Sequence, residues 1–251
     1  MIIRPYNHDT DKDAVHRIWR EVGWLDKGEE EAMDHIVTAG RATVAELDGS
    51  AECMVLTAPG AVRYLDCDLP FCGVTGVTTS HVARKQGLAS RTAAQAIALD
   101  VADGALVAGL GMFDQGFYNH LGFGTGGYEM WFRFDPARLN VTARHRVPRR
   151  LTAADWEAIH AARLGRVRTH GAVNLTPAAL TRGEAMRGSN SFGLGYLDGP
   201  EGTLSHFVWF GASNMARGPY DVQAMAYRSR DEFIELLALI KSLGDQVRLV
   251  T

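Results

Sequence analysis

The sequence predicts an α/β (α+β) fold in two tandem units, each a mixed, twisted sheet flanked by helices. Three observations carry that prediction. β-prone runs and amphipathic helical patterns alternate twice, each time as strand, helix, hairpin, strand, helix, strand. A polar, basic stretch with one proline, "NVTARHRVPRR", falls between the two series. The 251 residues, 46% apolar and 22% charged, suit one large domain or two modest ones with real cores. The expected division is 1–140 and 141–251. The halves share little residue identity, so element order alone suggests an internal repeat.

The first series opens with "IIRPYNHDTDKDAVHRIWREVGW", a short strand and then a helix. Asp9 or Thr10 can cap that helix, and Val15, Ile18, Trp19 and Val22 recur at helical spacing. "EEEAMDHIVTAG" predicts a second helix, with Gly40 after its end. Asp48-Gly49 between two β-prone runs is a strong hairpin signal. "AVRYLDCDLPF" and "CGVTGVTTS" are each expected to be strands. From Leu88 to Asp103 the spacing predicts a helix with Ala89, Ala93, Ile97 and Val101 in one row, closed by Gly104. "ALVAGLGM" is expected as a buried strand, "DQGFYNHLGF" as a short helical turn and "YEMWFRF" as a closing strand, which Asp135-Pro136 ends.

The second series begins at "RLTAADWEAIHAARLG", where Thr152 and Asp155 resemble a capping box ahead of Ile159 and Ala162. "GLGYLDGPEGTLSHFVWF" predicts a hairpin. "YDVQAMAYRSRDEFIELLALIKSLGDQVRLVT" predicts strand, helix, strand. In that helix Ser229 and Glu232 form a capping box, Phe233, Leu236, Leu237 and Ile240 face inward, and Gly244 ends it.

Composition narrows the function. A formal charge of −3 gives no global electrostatic case for nucleic acid. Cys53, Cys67 and Cys72 form no CxxC pair, and an odd count argues against a disulfide framework, which fits a reducing cytoplasm. "MIIRPYNHDTDKDA" lacks a signal-peptide core, and "GALVAGLGMF" is far short of the ~20 residues of a membrane span. His81, His120 and His206 are scattered without HExxH or CxxC, so no metal is expected.

The stretch "VTGVTTSHVARKQGLASRTAAQA" carries the chemistry. A β-rich run passes through a basic turn into an alanine-rich helix, with Gly87 at the joint. The first turn of a helix offers N–H groups without intrahelical partners and a partial positive charge, and a phosphate satisfies both. Alone, "RKQGLA" reads more simply as a solvated basic helix start. Its context is what sharpens it: a strand on each side, and "FDQGFYNHLGFG" beyond the second. This arrangement resembles the GNAT acyltransferase superfamily, and more closely the enhanced-intracellular-survival (Eis-type) N-acetyltransferases, in which two GNAT-like units sit in tandem. The resemblance covers the first 134 residues well and the remainder more loosely.

The resemblance implies an acetyl-CoA-dependent N-acetyltransferase, with acetyl-CoA as acyl donor and no metal. It implies donor contacts from the backbone of Val77 and Thr79, and from Arg84, Lys85, Gln86, Gly87, Leu88, Ala89 and Ser90. The residues agree on their own terms. Glycine lets backbone and phosphate approach closely, the two cations add charge, and a strand edge can pair with pantetheine amides. In the family, the tyrosine four residues before a Gly-aromatic-Gly run protonates the departing thiolate. Here that is Tyr118, ahead of Gly122-Phe123-Gly124. Without the resemblance, Tyr118 reads as a half-buried aromatic packed beside Phe117 and Phe123. The family's serine and acid five and four residues earlier are Phe113 and Asp114 here, so the serine's contact is lost.

Trp24 and Phe71, with Asp114, are weaker candidates for an acceptor pocket; Trp19 belongs with them, although core packing suits each aromatic taken alone. The run Glu29-Glu30-Glu31 reads as a solvated helix start. The second unit has "AYRSRDEFIE" at the equivalent strand-to-helix turn and is expected to be a degenerate copy. The expected reaction is direct attack of an amine on the thioester in a ternary complex. The acceptor is an aminoglycoside-like or polyamine small molecule, the alternatives being protein lysines or a non-catalytic acyl-CoA-binding module. A homo-oligomer is left open. In Eis-type enzymes a further domain follows and its terminal carboxylate enters the site, a role that does not transfer to Thr251. The ending "DQVRLVT" favours a fragment of a longer chain over a two-unit enzyme. Asp26, Glu52 and Asp114 are candidate bases that the sequence does not rank.

Overall fold

Thirteen consecutive residues of one strand position the site, and the fold is best built around them. The computed structural model describes residues 1–112 and 115–251. These fall into two compact units: Met1–Gly126 with Arg168–Gly183, and Gly127–Val167 with Glu184–Thr251. A cut after residue 140 therefore does not follow the contacts. The chain crosses from one unit to the other and back.

In the first unit, β1 (Ile2–Pro5) leads to α1 (His8–Glu21) and α2 (Glu30–Thr38). Asn7, rather than Asp9 or Thr10, caps α1 by accepting the N–H of Asp9 at 3.0 Å. β2 (Arg41–Leu47) and β3 (Ser50–Tyr64) form the expected hairpin, with Asp48 and Gly49 both at positive φ, as a tight two-residue turn demands. β3 does not stop where two further strands were expected. It runs through to Tyr64, turns at Leu65 and Asp66, and returns as β4 (Cys67–Thr79). The segment 61–71 is thus the tip of one long hairpin, because the pairing of β3 with β4 runs on from Ala58 and Gly73 to Tyr64 and Cys67.

α3 (Leu88–Ala102) follows, then β5 (Val107–Gly109) and α4 (Gln115–Asn119). β5 lies parallel to β4, the pairing a helical crossover permits. It is shorter than expected and not buried, with Leu106 beside it exposed. The strand order is β1-β2-β3-β4-β5. β7 (Val173–Leu175) pairs with Gly60–Val62 of β3, beyond the end of β2. The sequence reading missed β7 and α6 (Ala178–Met186). Three residues carry too little alternation to register, and Gly73 admits the Leu175 side chain where a Cβ would approach it to 2.6 Å.

Alternation along the strands divides the first core. Val44, Met54 and Leu56 face Val15, Ile18 and Met33 of the two N-terminal helices. Cys53, Val55 and Val74 face the other side, where α3 packs. The buried residues of α3 are Leu88, Thr92, Ala93 and Ala96; of the expected row Ala93 is buried, Ala89 and Ile97 are partly buried, and Val101 is exposed.

The second unit is an antiparallel sheet, β10-β9-β8-β6. β6 (Arg149–Leu151) precedes α5 (Trp156–Gly165), and the Thr152–Asp155 capping box forms as expected. β8 (Ser191–Tyr196) and β9 (His206–Ala212) are the expected hairpin, and β10 (Tyr220–Ala226) leads into α7 (Arg230–Ser242). On β9, Phe207 and Trp209 face the α5 side, while Val208 and Phe210 face α7. α7 buries Leu236, Ala238, Leu239 and Ile240, leaving Phe233 and Leu237 half-buried. Gly244 lies in a closing 3-10 turn, Leu243–Asp245.

Two expected strands do not form. "YEMWFRF" leaves Tyr128, Met130, Trp131 and Phe132 exposed, and contributes only a bridge from Phe134 to Val250. Val250 also bridges Tyr220, so the C-terminal run is held by single-residue pairs. β-propensity without a neighbouring ladder does not make a strand.

A charged cluster braces the second unit. Arg146 contacts Asp198 at 2.5 Å and Glu235 at 2.7 Å, and the buried His206 reaches Glu235 at 3.2 Å. Asp198, His206 and Glu235 have ligand atoms within 4.8 Å of one another, but the Arg146 guanidinium contacts both carboxylates. Hydrogen bonds from Arg146 lower the Glu235 pKa from 4.5 to about 2, against burial, which acts to raise it. A depressed carboxyl stabilises the fold fully above its unfolded pKa and loses that contribution as pH falls. Urea unfolding of the parent and Arg146→Met should therefore differ most above pH 4.5. The difference should shrink between pH 4.5 and 2, whereas a constant difference would mean that packing, not charge, is what Arg146 supplies.

Candidate active site

β4 is paired on one side along its whole length by β3, but on the other only from Phe71 to Gly73, by β5. From Val74 to Thr79 the described residues give that second edge no partner. The two strands part where β4 carries a bulge: Leu56 pairs with Gly76 and Thr57 with Val74, so Thr75 is the extra residue. A bulge bends its strand and increases the local twist. The result is a strand edge with backbone groups to offer, opening on a cavity of about 660 Å³.

The cavity gathers most of the residues that the sequence singled out. Val77 and Thr79 line it from β4, and Arg84, Lys85 and Gly87 from the following turn. Leu88, Ala89 and Ser90 line it from the first turn of α3, and Tyr118 from α4. Trp24 joins them, packed edge-on against the buried Trp19 at 5.7 Å. Gln86 is not in the lining; its Nε2 donates to the Val82 carbonyl at 3.3 Å. Phe71 lies apart, in a second cavity of about 520 Å³ with Cys72 and Asp100, and its ring covers Gly109. Cys72 donates to Asp100 at 3.0 Å, and burial raises the thiol pKa to about 12, so it is no nucleophile. Asp114 lies outside the described residues.

The turn leads into a helix start that no side chain caps. Gly87 is the N-cap of α3, at φ 76°. The first turn of α3 carries no acid, and a Cβ at Gly87 would meet nothing within 4 Å. The N–H groups of Leu88 to Ser90 have no acceptor within the helix, and these residues line the cavity at the positive end of the dipole. Lys85 also has positive φ, at 64°. α7 in the second unit is the reverse. Ser229 accepts the N–H of Glu232 at 3.2 Å, and Asp231 and Glu232 place negative charge in its first turn. That helix start is already satisfied and would repel a phosphate.

On α4, the Tyr118 carbonyl accepts the N–H groups of Leu121 and Phe123 at 3.0 and 3.1 Å. Gly122 at φ 89° permits this turn. The Tyr118 ring packs edge-on against Phe117 and Phe123, at 5.0 and 5.9 Å. Thr79 directs its hydroxyl to Cys53 Sγ at 3.4 Å, away from the backbone edge. Of the candidate bases, Glu52 is buried and held by Arg17 at 2.9 Å. Burial acts to raise its pKa, but the hydrogen bonds from Arg17 prevail and hold it below the ordinary value, which suits an ion-pair partner better than a base. Asp26 is exposed and does not line the cavity. Sequence reading missed Glu21, Val22, Thr78, His81, Ala83 and Phe117 in the lining. Glu21 gave one signal, an acid in the last turn of a helix.

No protein-family model matches this sequence, and neither does any curated protein. Similarity appears among solved structures. Eis1 of Mycobacterium abscessus superposes with a TM-score of 0.76 at 16% identity, over 100% of this chain and 65% of that one. A probable N-acyltransferase of Enterococcus faecalis V583 gives 0.74 at 18%, over 99% and 64%. A GCN5-related N-acetyltransferase of Kribbella flavida gives 0.69 at 20%, over 99% and 63%. The fold is the one these proteins share, and this chain spans about two thirds of their length. Among the described residues, no helix is long and apolar enough to cross a membrane.

Gly87→Ala isolates the cost of the turn's backbone. The added Cβ enters open space, so the whole effect is strain at positive φ, about 1–2 kcal/mol of stability by chemical denaturation. A neutral substitution would mean that the turn relaxes out of this conformation.

Proposed function

We propose that the first unit is an acetyl-CoA-dependent N-acetyltransferase. The observation that carries this reading is one cavity lined by a parted strand, an uncapped helix start beside two cations, and a tyrosine. The residues fit coenzyme A. The N–H groups of Leu88, Ala89 and Ser90, with Arg84 and Lys85, suit its pyrophosphate, and Gly87 leaves room for close approach. The free edge around Val77 and Thr79 suits the pantetheine amides. Acetyl-CoA supplies an activated thioester. The likeness of fold to N-acetyltransferases supports acyl transfer as the reaction class.

The acceptor is a primary amine of an aminoglycoside-like or polyamine molecule, which must lose its proton before attack. The cavity holds it against the thioester, so positioning supplies a large part of the rate. The amine nitrogen bonds to the acetyl carbon as the carbon–sulfur bond breaks, Tyr118 donates its phenolic proton to the departing sulfur, and the proton that the nitrogen then loses in becoming an amide returns through solvent to the tyrosinate. The second unit is a degenerate copy, because the capped, acid-bearing start of α7 is unsuited to phosphate. The chain works in the cytoplasm, where acetyl-CoA is available.

Release of coenzyme A from acetyl-CoA with a panel of amines is the direct test. Turnover with small polyamines or aminoglycosides supports the proposal, turnover with lysine peptides alone favours protein acetylation, and none with any amine leaves a binding module.

Two variants probe the parts. Gly87→Asp sets a carboxylate where the pyrophosphate approaches, so calorimetric titration should show coenzyme A affinity reduced at least tenfold, by an estimate of about 1.4 kcal/mol or more. Equal affinity would move the donor site elsewhere. Tyr118→Phe keeps the ring and removes the proton donor. Its kcat should fall about 10²–10⁴-fold with coenzyme A affinity near the parent's, and parental turnover would reduce Tyr118 to a packing residue.

A further inference from the structure

Glu21 is the last residue of α1. A carboxylate at that end opposes the helix dipole, so helix stability does not account for it. Its oxygens are used elsewhere. Oε2 accepts the backbone N–H of His81 at 2.7 Å, 60 residues away, and Oε1 lies 3.4 Å from Arg17. Arg17 holds both oxygens of Glu52, at 3.2 and 2.9 Å. Glu52 is itself the extra residue of a bulge: Ala45 pairs with Cys53 and Glu46 with Ala51. A bulge re-aims a side chain, here toward α1. The Glu52 carbonyl in turn accepts the N–H of Ser80 at 2.9 Å.

The first two N–H groups after β4 are therefore both held from outside the turn, one by β3 and one by α1, with Arg17 joining the two holders. The Ala83 N–H closes onto the Ser80 carbonyl at 3.2 Å, and Arg84 comes next. We infer that Glu21 is a positioning residue of the acyl-donor site. Its carboxylate pins the His81–Ala83 turn to α1 and so fixes where Arg84, Lys85 and the α3 start meet the phosphates. This rests on the coenzyme A reading above. Charge is not what Glu21 contributes, since a carboxylate lining this cavity works against an anion. Its use is as a hydrogen-bond acceptor.

The test separates those two properties. Glu21→Gln keeps an acceptor oxygen and drops the charge, whereas Glu21→Ala drops both. Coenzyme A affinity, measured by calorimetry, should fall on the order of tenfold in Glu21→Ala, the size expected for losing a hydrogen bond to a charged group. Glu21→Gln should restore parental affinity or exceed it. In turnover, KM for acetyl-CoA should rise in Glu21→Ala with kcat within about twofold.

His81→Pro removes the other partner of the same bond. Ser80, at φ −56° and ψ 156°, already has the conformation that a following proline requires, and the first position of a turn tolerates proline. It should match the loss of Glu21→Ala, and the double variant should lose no more than either single one. Parental affinity in Glu21→Ala, equal losses in the Ala and Gln variants, or multiplied losses in the double variant would each overturn the inference. Should Glu21→Ala fail to fold, parental affinity in His81→Pro or reduced affinity in Glu21→Gln would overturn it equally. A parent protein that binds no coenzyme A would instead defeat the functional reading itself.

Discussion

Everything at the site depends on β4 losing one neighbour while keeping the other. From Phe71 to Gly73 it is an interior strand between β3 and β5, and from Val74 onward it is an edge. An exposed edge is usually a liability, because unpaired N–H and C=O groups recruit other strands. Here the edge lines a cavity, and α3 and α4 supply further walls. The bulge at Thr75 shifts the register by one residue, and pairing with β3 continues on both sides of it. The same residues thus build the core on one side and present backbone on the other.

The contrast between α3 and α7 gives this an electrostatic side. Both helices follow a strand of a sheet, and each has a small residue at its N-cap, Gly87 or Ser229. Gly87 leaves the α3 start open and free of acids, whereas Ser229 and Glu232 consume the α7 start. One helix end is left unsatisfied and faces a cavity. The other contributes stability where it stands. A difference of a few side chains in one turn separates an open helix start from a capped one.

Carboxylates show how tertiary partners redirect chemistry. Glu52 reads in sequence as a candidate base, yet the bulge aims it at Arg17 and the pair holds it ionised. Glu235 likewise belongs to the Arg146 cluster that braces the second unit. Neither role is visible without knowing which cation lies opposite. Phe71 is a parallel case among the aromatics. In sequence it is a weak candidate for an acceptor pocket, with core packing the better reading taken alone, and its ring packs over Gly109.

Local patterns were enough for the features whose physics is local. The hairpin at Asp48-Gly49, the Thr152–Asp155 capping box and the inward positions of α1 follow from turn chemistry, side-chain reach and helical period. So does the basic turn into α3, since a glycine N-cap ahead of an alanine-rich helix reads the same in sequence and in space. The tertiary structure decided what depends on distant partners. It joined 50–64 and 67–79 into one long hairpin, set β7 against β3 from more than 100 residues away, and left Tyr128 to Phe132 without a ladder. It also brought Glu21 to His81, a hydrogen bond between two residues that no periodicity relates. Period and propensity act over a few residues, while strand pairing and ion pairing are settled only by what the folded chain places opposite.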